Sequence, residues 1–513
     1  MTPVFQTEYQ LLQLIDSNTI QDGIKLERRD FVESLIEFCT NNEFDAKLGV
    51  IYGLRLTGKT VGMLQAAEFL LQQENKVAYT MINYQESDIR DVNSEMLTLA
   101  KSGYTHFFID EAPYLEGFLN NSAEWANLFV PLHHLKIIIT GTDNLLLWFS
   151  MHRALLDQFV CFSTNRNTFP EYRRLTGKGY NDYKIKGGVF FSHAYNSEFI
   201  PVTIDPYMEN FIYDAVVENL IHTLEHCKDD DSTGNYYSYM LQDIDKVDIF
   251  KDIILVIEFA ALTIARNNFI KDSKIIPRLE NNKYDIKTQI VDQIEIYQNS
   301  KKIKHSEDSR KRYYAFISFL IEIGLLIESE SASSDLAKPK STLYFDHPTL
   351  LNYELHLTKY AMYKVKDIYK DAFAKNFYQV TDGALNEAIV YCHFILLSDE
   401  EDKIFLYQDN KQREIDVVSI NRRLNRLRLI EVKINTIIVS NVFTDEAKDL
   451  YDDEILKNIC ISENFTITRI IAYSGSNRRV ANEKGDLYLL DIEDLLCRIK
   501  DLDDFIGEIS ICP

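Results

Sequence analysis

The stretch Gly53-Leu54-Arg55-Leu56-Thr57-Gly58-Lys59-Thr60 constrains this chain more than any other. It fits G-x-x-x-x-G-K-[ST], a glycine-rich loop whose backbone N–H groups cradle phosphate. The flanks give the string its weight. Lys47 to Tyr52 is a short apolar run that reads as a buried strand, and Val61 to Gln72 has the apolar spacing of a helix. A strand, a glycine loop and a helix N-terminus make an anion site, because unpaired N–H groups and the helix dipole converge there. Gly53 and Gly58 allow close backbone approach that a Cβ would block. The alternative, an ordinary glycine turn with a chance Gly-Lys-Thr, would not require such flanks. The pattern therefore predicts a nucleotide held by Gly53, Leu54, Arg55, Leu56, Thr57, Gly58, Lys59, Thr60 and Val61. Lys59 would reach the β- and γ-phosphates of ATP, and the Thr60 hydroxyl would hold Mg²⁺.

More apolar runs extend the loop into an α/β domain with a parallel sheet. Lys76 to Asn83 reads as a second strand, and Thr105 to Glu111 as a third that ends in two acids. Asp110 would complete the Mg²⁺ shell while Glu111 polarises the attacking water as general base. Leu135 to Asp143 reads as the fourth strand. In a parallel sheet such strand ends point at the ligand crevice, so Thr142 or Asp143 is expected to sense the γ-phosphate. Simple strand termination by Gly141 and Asp143 is the alternative. Upstream, Ile24 to Thr40 places Phe31, Leu35, Ile36 and Cys39 on one helical face.

A second constellation lies in the last third. Thr381 to Leu397 opens with Asp382-Gly383 and reads as a helix carrying Glu387; Lys403–Gln408, Glu414–Ile420 and Arg426–Ile434 read as three strands. Strand side chains alternate, so Leu429, Glu431 and Lys433 share one face while Ile430 and Val432 turn to the core. Glu431 and Lys433 then project beside Asp416 on the neighbouring strand. Two carboxylates for Mg²⁺ and an ammonium beside them form a set that phosphodiester hydrolysis needs, with Glu387 as a further metal ligand or anchor. An exposed amphipathic strand with an i, i+2 ion pair is the plain alternative. The turn from Asn421 to Arg428 holds four arginines, which suit either a phosphate clamp or a solvated hairpin neutralising nearby acids.

Between these constellations, Pro206 to Ile270 has a helical pattern. From Tyr284 to Leu355 the order helix, helix, strand, polar loop, strand outlines a winged helix, with a basic face from Lys301, Lys302, Lys304, Arg310, Lys311 and Arg312. Such a unit reads DNA or serves as a protein connector, and the pattern suits both. A formal net charge of -23 excludes a protein coated in positive charge for indiscriminate DNA binding, though not a local basic groove. The seven cysteines include no C-x-x-C pair, which argues against a zinc site or a disulfide framework. No signal pattern and no apolar run of about 18 residues occurs, so a cytoplasmic protein without membrane contact is expected.

Together these pieces resemble the bacterial and archaeal AAA-type ATPases in which an ATPase core precedes a winged helix and a C-terminal domain of the PD-(D/E)xK restriction-nuclease kind. The matching segments are Tyr52 to Thr60, Phe108 to Glu111, Ile139 to Thr142, Thr168 to Tyr172, Leu325 to Ile327, Leu343 to Asp346, Gly383 to Glu387, Glu414 to Asp416 and Ile430 to Lys433. They lie within about residues 24 to 495. The resemblance implies an ATPase domain over 1–205, a helical lid and winged helix over 206–365, and a nuclease-like domain over 366–513. It further implies ATP hydrolysis with Mg²⁺, action on DNA, homo-oligomers and defence against foreign DNA. Two departures bear on the chemistry. Leu56 stands where the family has a second basic residue, and no Gly-Arg pair follows the fourth strand, leaving Arg153 and Arg166 as the nearest substitutes.

Overall fold

The computed structural model describes residues 5–21, 23–45, 47–53, 57–82, 88–115, 118, 123–141, 147, 158–164, 167–186, 326–332, 340–345, 372–408, 413–433, 447–459 and 465–509. The elements in the first half are β1 (Gln6–Thr7), α1 (Glu8–Thr19), β2 (Ile20–Gln21), β3 (Ile24–Lys25), α2 (Asp30–Thr40), β4 (Leu48–Tyr52), α3 (Lys59–Gln72), β5 (Val77–Met81), α4 (Ile89–Lys101), β6 (His106–Asp110), β7 (Lys136–Gly141), β8 (Phe159–Ser163), α5 (Phe169–Thr176) and α6 (Tyr180–Lys186). Six of the strands form one sheet in the order β1-β5-β6-β7-β4-β8. All its neighbours run parallel except β1, which is antiparallel to β5. One strand, β7, therefore separates the glycine-loop strand β4 from the acid-bearing β6.

Both faces of this sheet are covered, which explains why its strands read as continuous apolar runs. Val50, Phe107 and Ile139 go into one core with Val92 and Met96 of α4. Their neighbours Ile51, Phe108 and Ile138 go into the other, with Leu35 of α2 and Leu64 of α3. The strand cores agree with the sequence reading. The expected helix over 24–40 begins only at Asp30, because Ile20–Gln21 and Ile24–Lys25 pair as a two-stranded ribbon.

The second half contributes β9 (Leu326–Ala332), β10 (Lys340–Phe345), α7 (Ala372–Leu397), β11 (Lys403–Gln408), β12 (Glu414–Asn421), β13 (Arg426–Val432), α8 (Asp453–Ile459), β14 (Thr466–Tyr473), β15 (Arg478–Val480), β16 (Leu487–Asp491), α9 (Ile492–Cys497) and α10 (Leu502–Glu508). The eight strands form a mixed sheet, β10-β9-β11-β12-β13-β14-β16-β15. β11, β12 and β13 are an antiparallel meander, and β14 returns parallel to β13.

Two expectations change here. The hairpin assigned to a winged helix joins the C-terminal sheet, through parallel pairing of Leu406 with Ser331 and Tyr407 with Ala332. Alternation predicts a strand but not the sheet it enters, so the boundary at 365/366 cuts through paired strands. The helix carrying Glu387 also begins at Ala372 and runs through Asp382-Gly383 instead of opening there. The remaining winged-helix segments, the helical region 206–270, Leu54, Arg55, Leu56, Thr142, Asp143, Arg153 and Arg166 lie outside the described residues. Among the described residues no helix is long and apolar enough to cross a membrane.

Candidate functional sites

Because β4 to β8 run parallel, Gly53, Asp110 and Gly141 come to the same edge of the first sheet. Gly58 caps α3 with φ 81°, a left-handed conformation that favours glycine and turns the chain sharply into the helix. One turn further, a Cβ on Gly62 would lie 2.3 Å from the ring of Phe31, so α2 and α3 pack too closely for any side chain there. Lys59 is buried and donates from Nζ to the carbonyl of Gly53 at 2.7 Å, folding the ammonium back across the loop.

Asp110 is fully buried at the end of β6. Its Oδ2 accepts from the Tyr79 hydroxyl at 3.0 Å, its Oδ1 accepts from the Glu111 backbone N–H at 3.0 Å, and it is hydrogen-bonded to Thr60. Burial pushes its pKa up and Glu111 adds to this, while Thr60, Tyr79 and Lys59 pull the other way; the net is upward. Burial and the adjacent Asp110 raise the Tyr79 phenol in turn, so Tyr79 keeps its proton and acts as donor. Glu111, half-buried, has φ 55°, a left-handed turn that costs a non-glycine residue roughly 1 kcal/mol. Strain of this size at a strand end is characteristic of functional sites.

Sequence reasoning missed two features. The Thr140 hydroxyl on β7, between the Gly53 and Asp110 strands, is completely buried with no hydrogen-bond partner among the described residues. Such an orphan costs about 1–3 kcal/mol. The other feature is Arg29, whose guanidinium donates to the Thr57 carbonyl and forms a two-pronged pair with Glu171. The donor set fits a nucleotide with magnesium: an ammonium and helix N–H groups for phosphate, a hydroxyl and a carboxylate for a hard cation, and an unused hydroxyl beside them.

The second cluster sits where β12 begins beside the end of β13. Asp416 and Glu431 are both buried. Asp416 Oδ2 accepts from the Val432 N–H at 2.7 Å, and Lys433 Nζ lies 2.6 Å from Glu431 Oε2 and 3.7 Å from Asp416 Oδ2. Burial alone would lower the Lys433 pKa, but Asp416, Glu431 and Glu387 raise it well above the ordinary lysine value. Lys433 is therefore a firmly held cation. A cation held in this way suits orienting a nucleophile and not deprotonating one. Asp416, Glu431 and Lys433 do come together as the alternation predicted, and Glu387 is close enough to act on Lys433 electrostatically. Among the described residues no three acidic, histidine or cysteine side chains form a metal-holding group.

Leu429 does not share an open face with this cluster. It packs with Val418, Leu450 and Ile455 under α8, so the sheet is covered on the acid face as well. The arginine turn is also resolved. Arg426 pairs with Asp399, Asp402 and Asp503, Arg428 with Asp503 and Asp402, and Arg423 with Glu401. It stands at the opposite end of β13 from Glu431, about 16 Å away at strand spacing. Of the two sequence readings, this is the hairpin that neutralises nearby acids.

No protein-family model matches the sequence, and no curated protein matches it. Among solved structures the chain is similar to PCH-2 from C. elegans, at 13% identity and a TM-score of 0.26, over 42% of this chain and 62% of that one. It is also similar to the Hsp104–ADP complex of S. cerevisiae, at 12% identity and a TM-score of 0.25, over 78% of this chain and 51% of that one. The chain thus spans less than two thirds of the length of either. At these scores strand order and site geometry, rather than likeness, bear on function.

Proposed function

We propose that this protein is an ATP-binding and ATP-hydrolysing member of the AAA type, coupled to a Mg²⁺-dependent nuclease-like domain that acts on DNA. The observation that carries the first half is the meeting of Thr60 and Asp110 across the sheet edge, beside Lys59 at the glycine-capped start of α3. In this reading Lys59 leaves the Gly53 carbonyl for the β- and γ-phosphates. Thr60 and Asp110 would hold Mg²⁺, and that ion would supply neutralising charge for the phosphates. Glu111 orients and deprotonates the attacking water. The sensing role expected of Thr142 extends to Thr140, whose buried hydroxyl has the position to serve it.

The C-terminal half has the order helix, three antiparallel strands, helix and a strand parallel to the third, with Asp416 on the second strand and Glu431 and Lys433 at the end of the third. That order supports a restriction-nuclease-like domain. Asp416 and Glu431 would hold the metal that activates water, Lys433 would orient that water, and Glu387 would act on Lys433 electrostatically. The domain reading becomes an ATPase unit over 1–205 and a C-terminal unit that also takes in the β9–β10 hairpin.

One observation favours a second reading. Lys433 already pairs with both acids, as it would in a domain that binds DNA or protein without cutting while ATP turnover acts as a timer. The test is cleavage of linear and supercoiled DNA with Mg²⁺ or Mn²⁺, with and without ATP, by wild type and Asp416→Ala, alongside ATP hydrolysis by Glu111→Gln. Cutting lost in Asp416→Ala is the expected result. Absence of cutting on every substrate, with ATP hydrolysis intact, selects the switch.

A further inference from the structure

We propose that Arg29 and Glu171 are a positioning pair through which docking of the C-terminal domain sets the geometry of the nucleotide loop. This rests on reading that loop as the ATP site. Both side chains are buried, at 6% and 4% exposure. Four of the five guanidinium N–H groups are accounted for by two residues of the loop region and by Glu171. Its Nε and Nη2 donate to the two Glu171 oxygens at 3.0 Å each, and its Nη1 donates to the carbonyls of Thr57 and, at 3.3 Å, Thr164. Thr57 is the loop residue just before Gly58. Its hydroxyl also meets that of Thr164 at 2.8 Å, and the Thr164 N–H donates to the Tyr52 carbonyl at 2.8 Å. The rigid arginine fork thus fixes the loop's exit against β4 and β8.

Glu171 leads away from the loop. It lies on α5, whose N-cap residue Thr168 makes no side-chain cap bond. The first N–H of that helix, at Phe169, donates instead to His393 Nε2 on α7 at 2.9 Å. His393 Nδ1 faces the Ile389 carbonyl at 2.8 Å, which sets the proton on Nδ1 and leaves Nε2 as the acceptor. A turn beyond α5, the Tyr180 hydroxyl donates to Asn386 Oδ1 and its N–H to Glu493 Oε1, both at 2.8 Å. Phe169 packs edge-on against Tyr180 and Tyr183. Asn386 adjoins Glu387 of the acid–lysine cluster. Buried hydrogen bonds thus link Thr57 through Arg29 to Glu171, and, across the first turn of α5, Phe169 to the helix that carries Glu387.

A buried ion pair contributes little net stability against a well-packed apolar substitute. What it supplies is one defined arrangement. Linkage makes the effect reciprocal: if docking sets the loop, nucleotide in the loop tightens docking by the same factor.

The experiment combines ATP affinity with amide hydrogen exchange over 167–183 and 385–397, in wild type, Glu171→Gln and His393→Ala. ATP is expected to slow exchange in both segments of the wild type. Glu171→Gln is expected to raise the Kd for ATP about tenfold, the size of one lost charged hydrogen bond, and to abolish protection over 385–397. His393→Ala, remote from the loop, raises it several-fold. If Glu171→Gln does not fold, Tyr180→Phe, which removes one hydroxyl, replaces it and must reduce protection over 385–397. ATP binding that protects α3 but leaves 385–397 unchanged, with wild-type affinity in His393→Ala, overturns the proposal and leaves the ATP site standing. Failure of wild type to bind ATP overturns both.

Discussion

Lys59 is buried and Lys433 half-buried; both lie beside acids at the end of a strand, yet they are held differently. Lys59 donates to a neutral carbonyl, and Lys433 donates to a carboxylate with a second one 3.7 Å away. Exchanging a carbonyl for phosphate gains a charge–charge contact, so the first site is arranged to accept an anion. Freeing Lys433 means parting a half-buried lysine from two buried acids, so the second site holds its cation until something else compensates those acids. If the first site takes ATP as proposed, its readiness for an anion and the second site's hold on its own cation suit a molecule in which the first event governs the second.

The same substitution at the two lysines should therefore give contrasting results. Lys433→Ala strands Asp416 and Glu431 without their cation, and should cost the C-terminal half about 3 kcal/mol or more in thermal or urea unfolding. Mn²⁺ should raise the Tm of that variant more than it raises the wild type's; equal shifts would mean that the acids do not take a metal. Lys59→Ala should cost about 1 kcal/mol or less in stability but weaken ATP binding about a hundredfold by calorimetry. A variant that unfolds readily yet binds ATP normally would reverse the contrast.

Thr140→Val should leave stability unchanged or raise it by about 1 kcal/mol, since it removes a buried orphan hydroxyl. ATP turnover should fall about tenfold without a matching loss of affinity. The smallest effect belongs to the arginine turn. Burial would raise the Asp503 pKa, but Arg428 and Arg426 outweigh it and hold the carboxyl below its usual range. A depressed folded-state pKa stabilises above the unfolded value and loses that contribution as pH falls through the folded one. The Tm difference between wild type and Asp503→Asn should thus narrow as pH drops below about 4, from a starting gap of about 1 kcal/mol at this half-exposed pair.

Both sites were legible where chemistry follows from neighbours in the chain. The strand–glycine loop–helix and the strand ending in Asp110 and Glu111 need only local hydrophobic patterning. Alternation likewise brought Asp416, Glu431 and Lys433 together. It could not say that Leu429 is roofed by Leu450 and Ile455, because a strand has two faces and the sequence does not label either as solvent. Nor could it place the β9–β10 hairpin, whose partner strand lies more than 70 residues on. Arg29 and Glu171 gave no signal at all. A charged residue far from any motif shows its role only when its partner, 142 residues away, is folded against it.

That separation also sets an order of events during synthesis. The glycine loop and both acids of the third strand exist once residue 110 or so has emerged, but the loop's buried support needs Glu171, and the cap on α5 needs His393, 224 residues beyond Phe169. At about 5–20 residues per second, roughly 3–12 s pass between completion of the acid strand and arrival of Glu171. During that interval the glycine loop and the acid strand lack the ion pair that steadies the loop. Long-range contacts of this kind form late because loop closure must come first. The glycine loop therefore reaches its final geometry only after Glu171 has folded against Arg29.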